Sequence, residues 1–120
     1  MYSYEISYKE NIDFIDSNYE SFIMTFKNNK DSINPFKETT YFIIEEIDTT
    51  IKNSLSQKLM LFTILSMKGI ENNELVPEVE SLIKELIQNN TLEQVKSEIS
   101  QEDYELIKKD IEFIREKLKI

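Results

Sequence analysis

SLSQKLMLFTILSMKG, residues 54–69, is the stretch on which the fold depends. Leu55, Leu59, Met60, Leu61, Phe62, Ile64, Leu65 and Met67 leave no polar side broad enough to face water, the pattern of a helix covered all round. Between Lys58 and Lys68 the apolar run is far too short to cross a bilayer of about 30 Å, so other parts of the chain must cover it. Ser54 with Gln57 has capping-box spacing and marks the start. Lys68 and Gly69 predict the end, with a cation in the last turn and a glycine free to take positive φ. The reading is a central apolar helix near residues 55–68.

Upstream, Ser7 and Glu10 repeat the capping-box spacing, and Ile12, Ile15, Tyr19, Phe22, Ile23 and Phe26 follow a 3.6-residue period, predicting a helix to about Asn28. Tyr2, Tyr4, Ile6 and Tyr8 alternate like a strand but have no second strand to pair with, so an extended lead-in is expected. Asn34 and Pro35 read as cap and first turn of a second helix, with Phe36, Ile43, Ile44, Ile47 and Ile51 on its stripe. Downstream, Pro77 opens a helix carrying Val79, Leu82, Ile83, Leu86 and Ile87, which Asn89 and Asn90 stop. Thr91 with Gln94 is expected to cap a short helix bearing Leu92, Val95 and Ile99. Ser100 with Asp103 starts the last helix, whose seam is Tyr104, Ile107, Ile111, Ile114 and Leu118. The expected fold is all-α, a compact single-domain bundle (1–120) of about five to six helices. LFTILSMKGIENNELVPEVESLIKEL (61–86) is loosely similar to one HEAT-type repeat, a proline opening its second helix, and no second copy follows at a fixed period.

Composition narrows the chemistry. The chain has 120 residues, 14 Lys+Arg against 23 Asp+Glu, a net charge of −9, no His, Cys or Trp, and a single Gly. With 18 Ile, 10 Leu, 7 Phe and 3 Val it has ample material for a core. Without His or Cys there is no zinc site of the usual kind, no thiolate nucleophile and no Ser-His-Asp relay. One glycine excludes a glycine-rich phosphate loop. No apolar h-region stands in the first twenty residues, so we expect a cytoplasmic protein with no membrane association. Lys outnumbers Arg 13 to 1, with ten Asn and no Ala, a bias of AT-rich coding sequence that suggests a bacterial or phage source.

The acidic excess is uneven. Asp13, Asp16 and Glu20 are spaced i, i+3, i+7 and are expected to face outward together, about 100° from the apolar face. Glu71, Glu74, Glu78 and Glu80 form a second group without a cation. Tyr2 and Tyr4 lie beside the first group and suit a protein interface, since tyrosine buries area while keeping a polar tip. These nine residues are the candidate partner-binding set; the alternative is a solvated acidic face that maintains solubility. Leu106, Phe113 and Ile120 make a second apolar row on the last helix, to be covered either within the domain or by a second copy as a homodimer.

Asp13 and Asp16 in DFID, and Glu45 and Asp48 in EEID, place two acids one turn apart. This spacing resembles the E-x-x-E and E-x-x-D pairs of all-α, magnesium-dependent nucleotide pyrophosphatases of the MazG type, with Asp for Glu in the first pair. That resemblance implies Mg²⁺ held by oxygen donors and nucleotide hydrolysis, but no basic cluster stands beside either pair to contact phosphates. Direct nucleic-acid binding is disfavoured at a net charge of −9. The expectation is therefore a non-enzymatic protein without cofactor or metal, an immunity- or antitoxin-type inhibitor. It would cover the basic active site of a toxin, nuclease or defence effector. A homodimerising structural or regulatory module is the second reading and the pyrophosphatase the third.

Overall fold

In the computed structural model, residues 6–27, 34–50 and 54–120 are described, apart from the side chains of residues 26, 27 and 48–50. They form six α-helices and no strand: α1 (Tyr8–Lys27), α2 (Pro35–Thr50), α3 (Leu55–Glu71), α4 (Pro77–Gln88), α5 (Thr91–Gln94) and α6 (Gln101–Leu118). A 3₁₀ turn, Lys96–Glu98, joins the last two. Tyr2 and Tyr4, and Ile51 of the second stripe, lie outside the described residues.

The all-α bundle is built around α3. Every residue from Leu59 to Ser66 is buried, and α3 touches α1, α4, α5 and α6. Its two buried hydroxyls are satisfied within the helix, Thr63 donating to the Leu59 carbonyl and Ser66 to that of Phe62, both at 2.7 Å. Returning those donors to the same helix's backbone lets polar side chains enter a dry core without a partner elsewhere. Leu55, in the first turn, stays exposed. α2 packs chiefly on α1, through the Tyr19–Phe36 ring stack at 4.7 Å and the Phe22–Phe42 contact at 4.5 Å.

Helix starts follow the side-chain spacing. Ser7 and Glu10 form a reciprocal capping box, with the Glu10 amide donating to Ser7 Oγ at 3.1 Å and the Ser7 amide donating to Glu10 Oε1 at 3.2 Å. Asn34, Ser54 and Ser100 accept from the amides of Lys37, Gln57 and Asp103 in the same manner.

Two helix boundaries differ from expectation. Gly69 does not end α3, which runs on to Glu71 and closes in a Schellman turn with Asn73 at φ 53°. The Glu74 amide donates to the Gly69 carbonyl at 2.8 Å and that of Asn73 to Ile70 at 3.3 Å. Glycine is needed at 69 for space, because a Cβ there would lie 2.8 Å from Leu75 Cα as the chain turns back. Thr91 is not a cap either. It is buried inside α5, and Asn90, at φ 55°, both stops α4 and precedes α5. With one glycine in the chain, asparagines occupy two of the three left-handed positions.

Tyr8 joins the two ends of the described chain. Its amide donates to the buried Asp103 carboxylate at 3.2 Å, and its hydroxyl to Asp110 Oδ2 at 2.6 Å. Asp103 thereby serves the N-terminal amides of α1 while sitting in the first turn of α6. Burial, then the Asp110 hydrogen bond and its negative charge, push the Tyr8 phenol well above its ordinary value. Burial pushes Tyr19 up to about 12, against a smaller opposing effect of its Thr40 hydrogen bond.

Gly69→Ala should cost about 1–3 kcal/mol by overpacking against Leu75, read as a lower urea midpoint. A phenol held neutral in the folded state stabilises fully below its unfolded value of 10.0 and loses that contribution as pH rises beyond it. Tyr8→Phe should therefore cost about 1 kcal/mol at neutral pH and give a shallower fall in stability above pH 10 than the parent, measured by urea unfolding across that range.

Candidate functional site

The structure divides the nine candidate residues. Asp13 and Glu20 are exposed on α1 and make no ion pair among the described residues. Asp16 does not face outward with them. At about 100° per residue, three positions fall about 60° short of a full turn, which brings Asp16 toward the apolar face and within reach of α3. There its Oδ1 is shielded from water and paired with the Lys68 ammonium. The expected outward stripe is thus broken at its middle member.

The second group is broken in the same way. Glu74 accepts from the Asn34 side chain at 3.1 Å, tying the α3–α4 loop to the start of α2. Glu78 accepts from the Tyr41 hydroxyl at 2.9 Å, a bond that raises the Tyr41 phenol above its ordinary value. Glu80 pairs with Lys84 one turn along α4, at 2.9 Å. Glu71 alone of this group remains exposed with no such bond among the described residues. Tyr2 and Tyr4 lie outside the described residues.

Glu71 and Asp16 meet in a cleft of roughly 330 Å³ between α1, α3 and α6, floored by Ile12, Ile64 and Met67. Asp110 and the Tyr8 ring complete it, and Lys68 is its sole cation. Sequence reasoning missed Asp103 and Asp110, because each belongs to α6 and acts on α1 across the bundle. It also missed Asn11, buried on α1, whose side chain donates to the Ser7 carbonyl at 3.0 Å and bonds with Gln57 of α3. A buried asparagine leaves no periodic signal distinct from that of an exposed one.

What α1 leaves outward is acidic and apolar together. Glu10, Asp13 and Glu20 are exposed there with Phe14 and Met24, whose exposures of 57% and 63% are the largest among the exposed large hydrophobic residues described. Lys9, in the first turn, is the exposed cation among the described α1 side chains. Phe14 is also on the rim of an apolar groove of about 230 Å³, walled by Ile6, Ile43, Ile47 and Leu61, with Glu46 at its edge. The groove opens beside the acidic arc.

Of the acid pairs one turn apart, Asp13 is directed to solvent and Asp16 to Lys68, and the Asp48 side chain is outside the described set. Among the described residues no group of three or more acidic side chains is placed to hold a metal ion. No described helix is long and apolar enough to cross a membrane. Comparison with protein-family models, with curated proteins and with solved structures gives no match.

Lys68→Met, which keeps the stem and removes the cleft's cation, should lower stability by about 1 kcal/mol at low salt, and the loss should shrink in high salt. Urea unfolding at two ionic strengths measures both.

Proposed function

We propose that this protein does no bond-making and acts by binding a basic site of another protein and covering it, as an immunity or antitoxin protein does to a toxin, nuclease or effector. The observation that carries the proposal is the outward arc of α1, where Glu10, Asp13 and Glu20 surround the exposed Phe14 and Met24. Aligned like charges cost a few tenths of a kcal/mol per pair in a helix with nothing to bind. Large apolar side chains left in water supply anchors that bury area on docking.

The proposed partner surface presents Lys or Arg around an apolar side chain that enters the groove behind Phe14. Charge then steers the encounter, and the apolar contacts hold the complex. The binding set is narrower than the one inferred from spacing. Asp16, Glu74, Glu78 and Glu80 already have partners within the fold, and Asp13, Phe14, Glu20 and Met24 take their place. A net charge of −9 favours a cationic protein surface over a nucleic-acid backbone.

The test places a photo-crosslinking amino acid at Ser17, which is exposed between Asp13 and Glu20. It should capture a protein through a Lys/Arg-rich segment. Asp13→Lys with Glu20→Lys should weaken binding at least about tenfold with helical content unchanged, and added salt should weaken the parent complex. Affinity indifferent to both the charge reversal and salt would overturn the proposal.

A further inference from the structure

α6 buries its seam, Tyr104, Ile107, Ile111 and Ile114, against the rest of the bundle and carries a second apolar row outward. Leu106 and Phe113, one heptad apart, are 41% and 36% exposed, and Ile120 continues the spacing half-buried. The polar residues beside this row have a definite order. Glu102 stands near the N-terminal end, Lys109 and Asp110 at the middle, and Lys117 near the C-terminal end, its ammonium 5.4 Å from the Phe113 ring centre.

That order is self-complementary under reversal. Laid antiparallel, with Leu106 of one copy against Phe113 of the other, two α6 helices bring Glu102 level with Lys117 and Lys109 level with Asp110. The two-fold repeats each match. Antiparallel packing also sets each helix's positive end beside the other's negative end. Laid parallel in register, the same helices would set Glu102 beside Glu102 and Lys117 beside Lys117, and the charges would repel.

We propose that a second copy of this chain docks on the Leu106–Phe113 face of α6, the two helices antiparallel about a two-fold axis between Lys109 and Asp110. An isologous contact needs this kind of self-complementarity, each patch meeting its own copy reversed. A helix of 18 residues is about 27 Å long. One such pair makes less than a standard interface, so dissociation in the range of roughly tens of micromolar is expected. The face is distinct from the outward arc of α1, and the dimer does not rest on the proposed inhibitory role.

Sedimentation equilibrium of the full chain tests it. The mean mass should rise from 14.3 kDa toward twice that value as concentration is raised from about 5 µM to about 1 mM. Leu106→Glu with Phe113→Glu should stay at 14.3 kDa with unchanged ellipticity, while Asp13→Lys with Glu20→Lys should dimerise like the parent. Glu102→Lys and Lys117→Glu should each weaken the dimer several-fold singly, and the double variant, with the charges exchanged, should recover it. A parent chain that remains at 14.3 kDa throughout, or a dimer indifferent to Leu106→Glu with Phe113→Glu, overturns the proposal. A double exchange that fails to recover overturns the antiparallel register.

Discussion

The structure rests on the burial of α3. A helix apolar on every side has no stable place at a surface, and the hydrophobic term of roughly 1.5–3 kcal/mol for each fully buried large aliphatic side chain requires neighbours all round. α1, α4, α5 and α6 are those neighbours. Each is amphipathic and turns its apolar stripe inward, so the polar chemistry is pressed to the outside of the wrapping helices. The tight turn at Gly69, where Leu75 approaches too closely for any side chain, is what brings α4 back alongside α3 within a few residues.

Local features of this fold were legible in the sequence. The caps at Ser7, Asn34, Ser54 and Ser100 depend on spacings of three residues, and a spacing can be read from a string. So can the stripe of α6 and the all-round apolar run of α3. Where the reading went astray, the deciding neighbour was distant in sequence. Gly69 looks like a helix stop by type and is a packing glycine by position, since only the return of Leu75 shows why a Cβ is excluded. Thr91 has a capping residue's identity, but its hydroxyl-bearing side chain is drawn into the core and Asn90 takes the turn.

The candidate site was less legible than the fold for the same reason. Spacing assigned Asp13, Asp16 and Glu20 to one stripe, yet a shift of about 60° around the axis separates a carboxylate that meets Lys68 from one that meets water. Glu74, Glu78 and Glu80 look alike in sequence and have three different intramolecular partners. Much of the acidic excess is thus consumed in holding the bundle together. The carboxylates left over, with Phe14 and Met24 among them, concentrate on the outward side of α1, where charge and apolar area together favour a cationic protein surface.

If α3 is the support on which the other helices lean, its amides open only when the whole molecule does. Native-state hydrogen exchange measures this directly. The amides from Leu59 to Ser66 should exchange with a free energy equal to that of global unfolding, while those of α2, packed chiefly on α1, exchange through smaller openings. Exchange of the α3 core amides through a partial opening that leaves α2 protected would contradict the account.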